Sequence, residues 1–227
     1  MYLLVSILHG IGSLISFFVG CKLLLKRPGT PLRRTMAVSL FAIGLWCAGD
    51  MLAQSRFSSE QMLWFGSTVS SFGWSMLPSL VVILFAAFTG REHLLRSKLF
   101  LLSLFIIPVL IIYKNFRGEF FIHTRFPEGW SFAWPSTYAA YAFYFSVLAC
   151  NVLCFRYLFA FLDTLGEDDL PMVRRAKWLI VLTYASFASI FILGILVPMI
   201  SLTHVPDLTS LVALAWGVMV PRYVDEG

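Results

Sequence analysis

Residues 61–89 read QMLWFGSTVSSFGWSMLPSLVVILFAAFT, without one Asp, Glu, Lys or Arg among them. The hydrocarbon core of a bilayer is roughly 30 Å thick, so a crossing helix needs about 20 predominantly apolar residues. This run is long enough to cross with some tilt. Its apolar residues are continuous rather than alternating, which argues against a strand. In lipid every backbone N–H and C=O must be satisfied within the structure, and a helix does so within one segment. The stretch therefore predicts a transmembrane helix.

Working outward, six more runs meet the same reading, at 2–25, 35–55, 97–114, 136–162, 176–203 and 206–221. The last is short and carries Asp207 near its start. The predicted fold class is all-α: a polytopic membrane protein, a seven-helix bundle forming one domain over 1–227. Composition agrees. The chain is 59% hydrophobic and 13% charged, where a soluble domain is nearer half and a quarter. Lipid is the first expected partner. The net charge of +5 is not a nucleic-acid signal, because the basic residues sit in short loops between apolar runs.

The N-terminal run begins at the second residue and has its first basic residue, Lys22, at the far end. A cleaved signal peptide has the opposite charge order, so the segment is expected to stay as the first helix. Basic residues in short loops mark the cytoplasmic side. Lys22, Lys26, Arg27, Arg33, Arg34, Arg91, Arg96, Lys98, Arg174, Arg175, Lys177 and Arg222 fall on one side; Arg56, Lys114, Arg117 and Arg125 fall on the other. Arg156 lies within the fifth span, where snorkelling to the interface is expected. The N-terminus is thus predicted outside and the C-terminus in the cytoplasm of a bacterial inner membrane.

Cys21, Cys47, Cys150 and Cys154 all lie in apolar runs and are expected as small buried hydrophobes, without a disulfide or a zinc site. Pro78, Pro108 and Pro198 lie inside or near the ends of spans. Each removes a backbone donor; it either opens a kink and a pocket or is compensated by its neighbours. Gly66 and Gly73 are expected to let helices approach closely.

Asp50 is the one acidic residue well inside a span, and a carboxylate in lipid is a functional hypothesis by default. His9 lies at a similar depth on the preceding helix, so a His9–Asp50 contact is expected. His204, Asp207 and Arg56 fall at the same end and complete a polar mouth able to hold a ligand head group. An internal hydrogen bond tying helices together is the competing reading. No paired histidines support a metal site. The 115–135 segment, read as a structureless outer loop, carries Phe116, Phe120, Phe121, His123, Phe126, Trp130, Phe132 and Trp134. These form an interfacial aromatic belt, or a lid over an apolar ligand. Trp46, Trp64 and Trp74 either line a cavity or pack the core, with core packing favoured. The candidate ligand-binding set is therefore His9, Asp50, Trp46, Trp74, His123, Trp130, Trp134, His204 and Asp207.

The order of short motifs resembles the seven-helix sensory region at the N-terminus of bacterial histidine kinases, also found ahead of diguanylate cyclases. The matching residues are Arg33, Arg34, Ser39, Leu40, Leu45, Trp46 and Gly49; Trp64 and Phe65; Pro78; and Phe88-Thr89-Gly90-Arg91. They continue with Asn115, Arg174 and Arg175, Asp207-Leu208-Thr209, Trp216-Gly217 and Arg222-Tyr223. The resemblance implies a sensor of an extracytoplasmic or membrane-borne small ligand. It further implies a homodimer and a cytoplasmic output domain such as a kinase. The chain ends soon after its last span, so the output domain is either cut away or absent from a stand-alone sensor. Pro221 is expected to interrupt the exit helix.

No catalytic apparatus or cofactor motif is visible. The seventh span has no lysine for a retinal Schiff base, and HExxH and GxSxG are absent. A small transporter or channel is the alternative function, disfavoured by the lack of a repeat and of polar residues reaching both faces.

Overall fold

Continuous apolar sequence becomes continuous helix. A computed structural model describes residues 2–26, 29–55, 59–126, 129–133, 138–165, 169–193 and 208–224; at 2, 54, 122–126, 129–133 and 222–224 it describes the backbone alone. The long helices are α1 (Tyr2–Leu25), α2 (Pro31–Gln54), α3 (Glu60–Phe88), α5 (Lys98–Phe116), α6 (Tyr138–Leu162), α7 (Leu170–Phe191) and α8 (Thr209–Val224). A single-turn helix, α4 (Glu92–Leu95), separates α3 from α5. Five of them, α1, α2, α3, α5 and α6, are long and apolar enough to cross a membrane. The protein is thus a multi-pass membrane protein. Among the described residues, α7 opens on Arg174, Arg175 and Lys177, and the apolar part of α8 is short.

Caps set the starts. Thr30 Oγ1 accepts the Arg33 N–H at 3.3 Å, with Pro31 as the first helical residue. This cap starts α2 four residues before the predicted span at 35. Ser59 and Ser97 cap α3 and α5 by accepting the N–H of Met62 (3.2 Å) and of Phe100 (3.3 Å). Each satisfies one of the orphan donors at a helix start.

The chain is not wholly helical. Ile122–Phe126 (β1) and Gly129–Ala133 (β2) pair antiparallel, with His123 opposite Phe132 and Arg125 opposite Trp130. The expected structureless loop is corrected here. Its Ile, Thr, Phe and Trp residues favour strands, and two short strands satisfy each other's backbone. The exit helix is corrected too: α8 runs through Pro221 to Val224. A proline in the last turns of a helix removes one donor without ending it.

The bundle is built on α2 and α3, which cross antiparallel at backbone contact. A Cβ at Gly66 would lie 2.7 Å from the Gly49 carbonyl oxygen and 2.8 Å from the Ala53 nitrogen. A Cβ at Gly73 would meet the Ala42 carbonyl and Trp46. In a bilayer, association relies on such close packing and on hydrogen bonds between helices. α1 and α8 pack on one side of α2, α5 and α6 on α3, and α7 against α8. Away from these contacts, Leu14, Phe18, Leu99 and Phe145 are exposed on the helix surfaces, a face suited to lipid.

The end of α3 opposite the hairpin is closed by a glycine turn. Gly90 takes φ +71°, and the Arg91 N–H reaches back to the Ala86 carbonyl at 2.8 Å. Only glycine adopts that conformation without strain. Arg91 then lies over the Tyr157 ring, 5.1 Å from its centroid, and Phe88 packs edge-on against Phe161 at 5.6 Å. The Phe-Thr-Gly-Arg run thereby docks α3 onto α6.

Candidate functional site

Polar residues enter this bundle in two seams. The first runs along α3, and most of its polar groups are paired within the protein. Ser70 Oγ donates to Asp50 Oδ1 at 2.8 Å, and Asn115 Nδ2 donates to the Ser67 carbonyl at 2.7 Å. Ser79 Oγ donates to the Leu104 carbonyl at 2.6 Å. Ser71 and Ser75 turn back onto their own helix. This seam ties α3 to α2 and α5.

The second seam lies on α1. Ser6, His9, Ser13 and Ser16 are spaced by three, four and three residues, which places them on one helix face. All four are buried, His9 and Ser16 completely. The hydroxyls of Ser6 and Ser16 and both ring nitrogens of His9 make no hydrogen bond. Facing them, Gly12 brings α1 close to Cys47 of α2 and to Leu211 and Leu214 of α8. The Cys47 thiol points to the Ser210 carbonyl at 3.7 Å, and the Ser210 hydroxyl is likewise buried without a partner. The seam therefore sits where α1, α2 and the start of α8 meet.

The nine sequence candidates divide. His9 and Asp50 are both buried, at 0% and 3% exposure, but no hydrogen bond or ion pair joins them. Asp50 turns to Ser70 on α3, whereas His9 faces the α1 seam. Trp46 is buried beside Gly73. Trp74 is the centre of an aromatic cluster, 5.8 Å from Phe120, 5.7 Å from Phe121 and 5.0 Å from Phe143. Phe120 is 1% exposed, so the start of the 115–135 segment folds into the bundle instead of lying in a belt. His123 and Trp130 stand on the two strands without being opposite each other, and their side chains lie outside the described residues. Trp134, His204 and Asp207 also lie outside them, as does Arg56.

Three contributors were missed. Asn115 belongs to the last turn of α5 and is 2% exposed. The α1 serines carry a signal that was available, their spacing on one face. Ser210 carries none on its own. Among the described residues, no three His, Cys, Asp or Glu side chains gather as a metal site. The four cysteines are free thiols; Cys47, Cys150 and Cys154 are buried, but Cys21 is exposed, contrary to the expectation of burial.

A family model described as the N-terminal 7TM region of histidine kinase matches residues 7–225. No curated protein and no solved structure matches the chain.

Proposed function

The chain belongs to the N-terminal 7TM region of histidine kinases, and from that membership we propose that it detects a small ligand and signals to a cytoplasmic kinase. In this reading α7 and α8 complete seven spans, with the N-terminus outside and the C-terminus in the cytoplasm of a bacterial inner membrane. The basic residues at the Arg33, Arg91 and Arg174 ends support that orientation. The kinase lies on the same polypeptide or on a partner, and the sensor works as a homodimer.

One observation carries the proposal: the unsatisfied seam lies between α1 and α8, the helix that leads to the C-terminus. A ligand there contacts the first and last helices at once. If it binds one arrangement of those helices better than another, it shifts their populations. That shift reaches the cytoplasm along α8. Asp50, tied to α3, holds the frame against which α8 moves. The α3 seam is a poorer place for a ligand, since most of its donors and acceptors are already used between helices.

The test is autophosphorylation of the kinase coupled to this chain in native membranes. His9→Ala is expected to change the response to stimulus while leaving the helices folded. Asp50→Ala is expected to change both response and stability. A His9→Ala protein that responds like the parent would remove the seam from the mechanism.

A further inference from the structure

Buried serines on a helix usually bond to their own backbone. On α2, Thr35 and Ser39 donate to the carbonyls four residues earlier, at 2.9 and 3.0 Å. Ser6 and Ser16 of α1 do not, nor does Ser210 of α8. With the two nitrogens of His9, five polar atoms lie buried without a hydrogen bond around one helix junction. Each costs about 1–3 kcal/mol if it stays so. Native proteins satisfy such groups with protein or with water almost without exception. Lipid tails can supply neither donor nor acceptor.

We infer that the α1–α2–α8 seam is a crevice open to water at the hairpin end, which admits a small, uncharged, polar solute from the aqueous phase. From Ser6 to Ser16 it descends roughly 15 Å along α1, at about 1.5 Å per residue. The solute must offer both donors and acceptors. A neutral imidazole presents one of each, and every serine hydroxyl presents both. It carries no net charge, because the described walls of the seam hold no cation to receive an anion, and the nearby carboxylate, Asp50, is held to α3 through Oδ1, which accepts from Ser70. Burying a charge there would cost several kcal/mol. An apolar ligand arriving through the bilayer is disfavoured at the aromatic cluster, where Phe120 already packs against Trp74. The inference rests on the sensor reading and narrows its ligand to a water-borne one.

Thiol labelling in nanodiscs tests it. Three native cysteines, Cys21, Cys150 and Cys154, are replaced by alanine, leaving Cys47 as a reporter inside the seam. A Cβ at Gly12 would lie 3.4 Å from its sulfur. In a background also lacking Cys47, Ser6→Cys, Ser16→Cys and Ser210→Cys report along the crevice. Ala140→Cys and Ala213→Cys, both 1% exposed in the native chain, are dry controls. The probes are hydroxyethyl methanethiosulfonate, which is polar and neutral, and its anionic sulfonatoethyl relative. Only a hydrated thiol ionises and reacts. The seam positions, Cys47 included, are expected to react at least about tenfold faster than the controls, and faster with the neutral probe. Seam rates equal to the controls would overturn the crevice, and equal rates for the two probes would overturn the uncharged solute. A dry seam together with an altered response in His9→Ala would leave the sensor reading standing. A wet seam with an unaltered response would do the reverse.

Discussion

Ser79 of α3 donates its hydroxyl to the carbonyl of Leu104 in α5, at 2.6 Å. That carbonyl is the one Pro108, four residues on, leaves without a helical N–H donor. The proline is thus compensated by a neighbour, one of the two outcomes its position allowed, and the compensation also joins two helices. Ser79→Ala should therefore cost about 1–2 kcal/mol in reversible unfolding, toward the upper end for hydrogen bonds between membrane helices. In a Pro108→Ala background the alanine N–H can take over the carbonyl, and the same change should cost at most half as much. Equal costs in both backgrounds would mean that the two residues are not coupled.

The α2–α3 crossing predicts a strict size limit. Gly66→Ala places a methyl 2.7 Å from the Gly49 carbonyl oxygen, against backbone that no side-chain motion can relieve. It should cost at least about 3 kcal/mol, the upper end for overpacking. Gly90→Ala meets no atom within 4 Å and pays only for its positive φ, about 1 kcal/mol. Thermal unfolding in one detergent should rank them in that order. The reverse ranking would contradict the crossing.

At the opposite end, Arg91 over Tyr157 is the testable part of the Phe-Thr-Gly-Arg run. A double-mutant cycle of Arg91→Ala with Tyr157→Leu should give a coupling of about 0.5–2 kcal/mol, the range for a cation over an aromatic face. A coupling near zero would reduce the run to the glycine turn alone.

Much of this fold was legible because lipid imposes one rule on every span. Continuous apolar runs gave most helix bounds to within a few residues; α2 begins early because Thr30 and Pro31 form a cap, and α7 begins six residues before 176, at Leu170, while the expected bounds at 203 and 206 lie outside the described residues. The hairpin was missed because its alternation of aromatic and polar residues reads equally well as a membrane-interface belt. The site was half legible. Depth along a helix can be counted in the sequence, and His9 and Asp50 are both buried in the bundle. Rotation about the helix axis cannot be counted when both faces are apolar. Asp50 consequently turned to Ser70 and not to His9. Asn115 looked like a loop residue because only its partner Ser67, in another helix, shows that it is buried.

In the proposed sensor the junction of α1 and α8 sets the output. Basal autophosphorylation of the coupled kinase tests it without knowledge of the stimulus. His9→Phe and Ser210→Leu fill the seam with apolar atoms, while Leu148→Ala alters a side chain exposed on α6. Both seam variants should shift basal output about 5-fold or more, the low end of allosteric coupling, and Leu148→Ala should leave it unchanged. Folded seam variants with the parent's output would contradict that role of the junction.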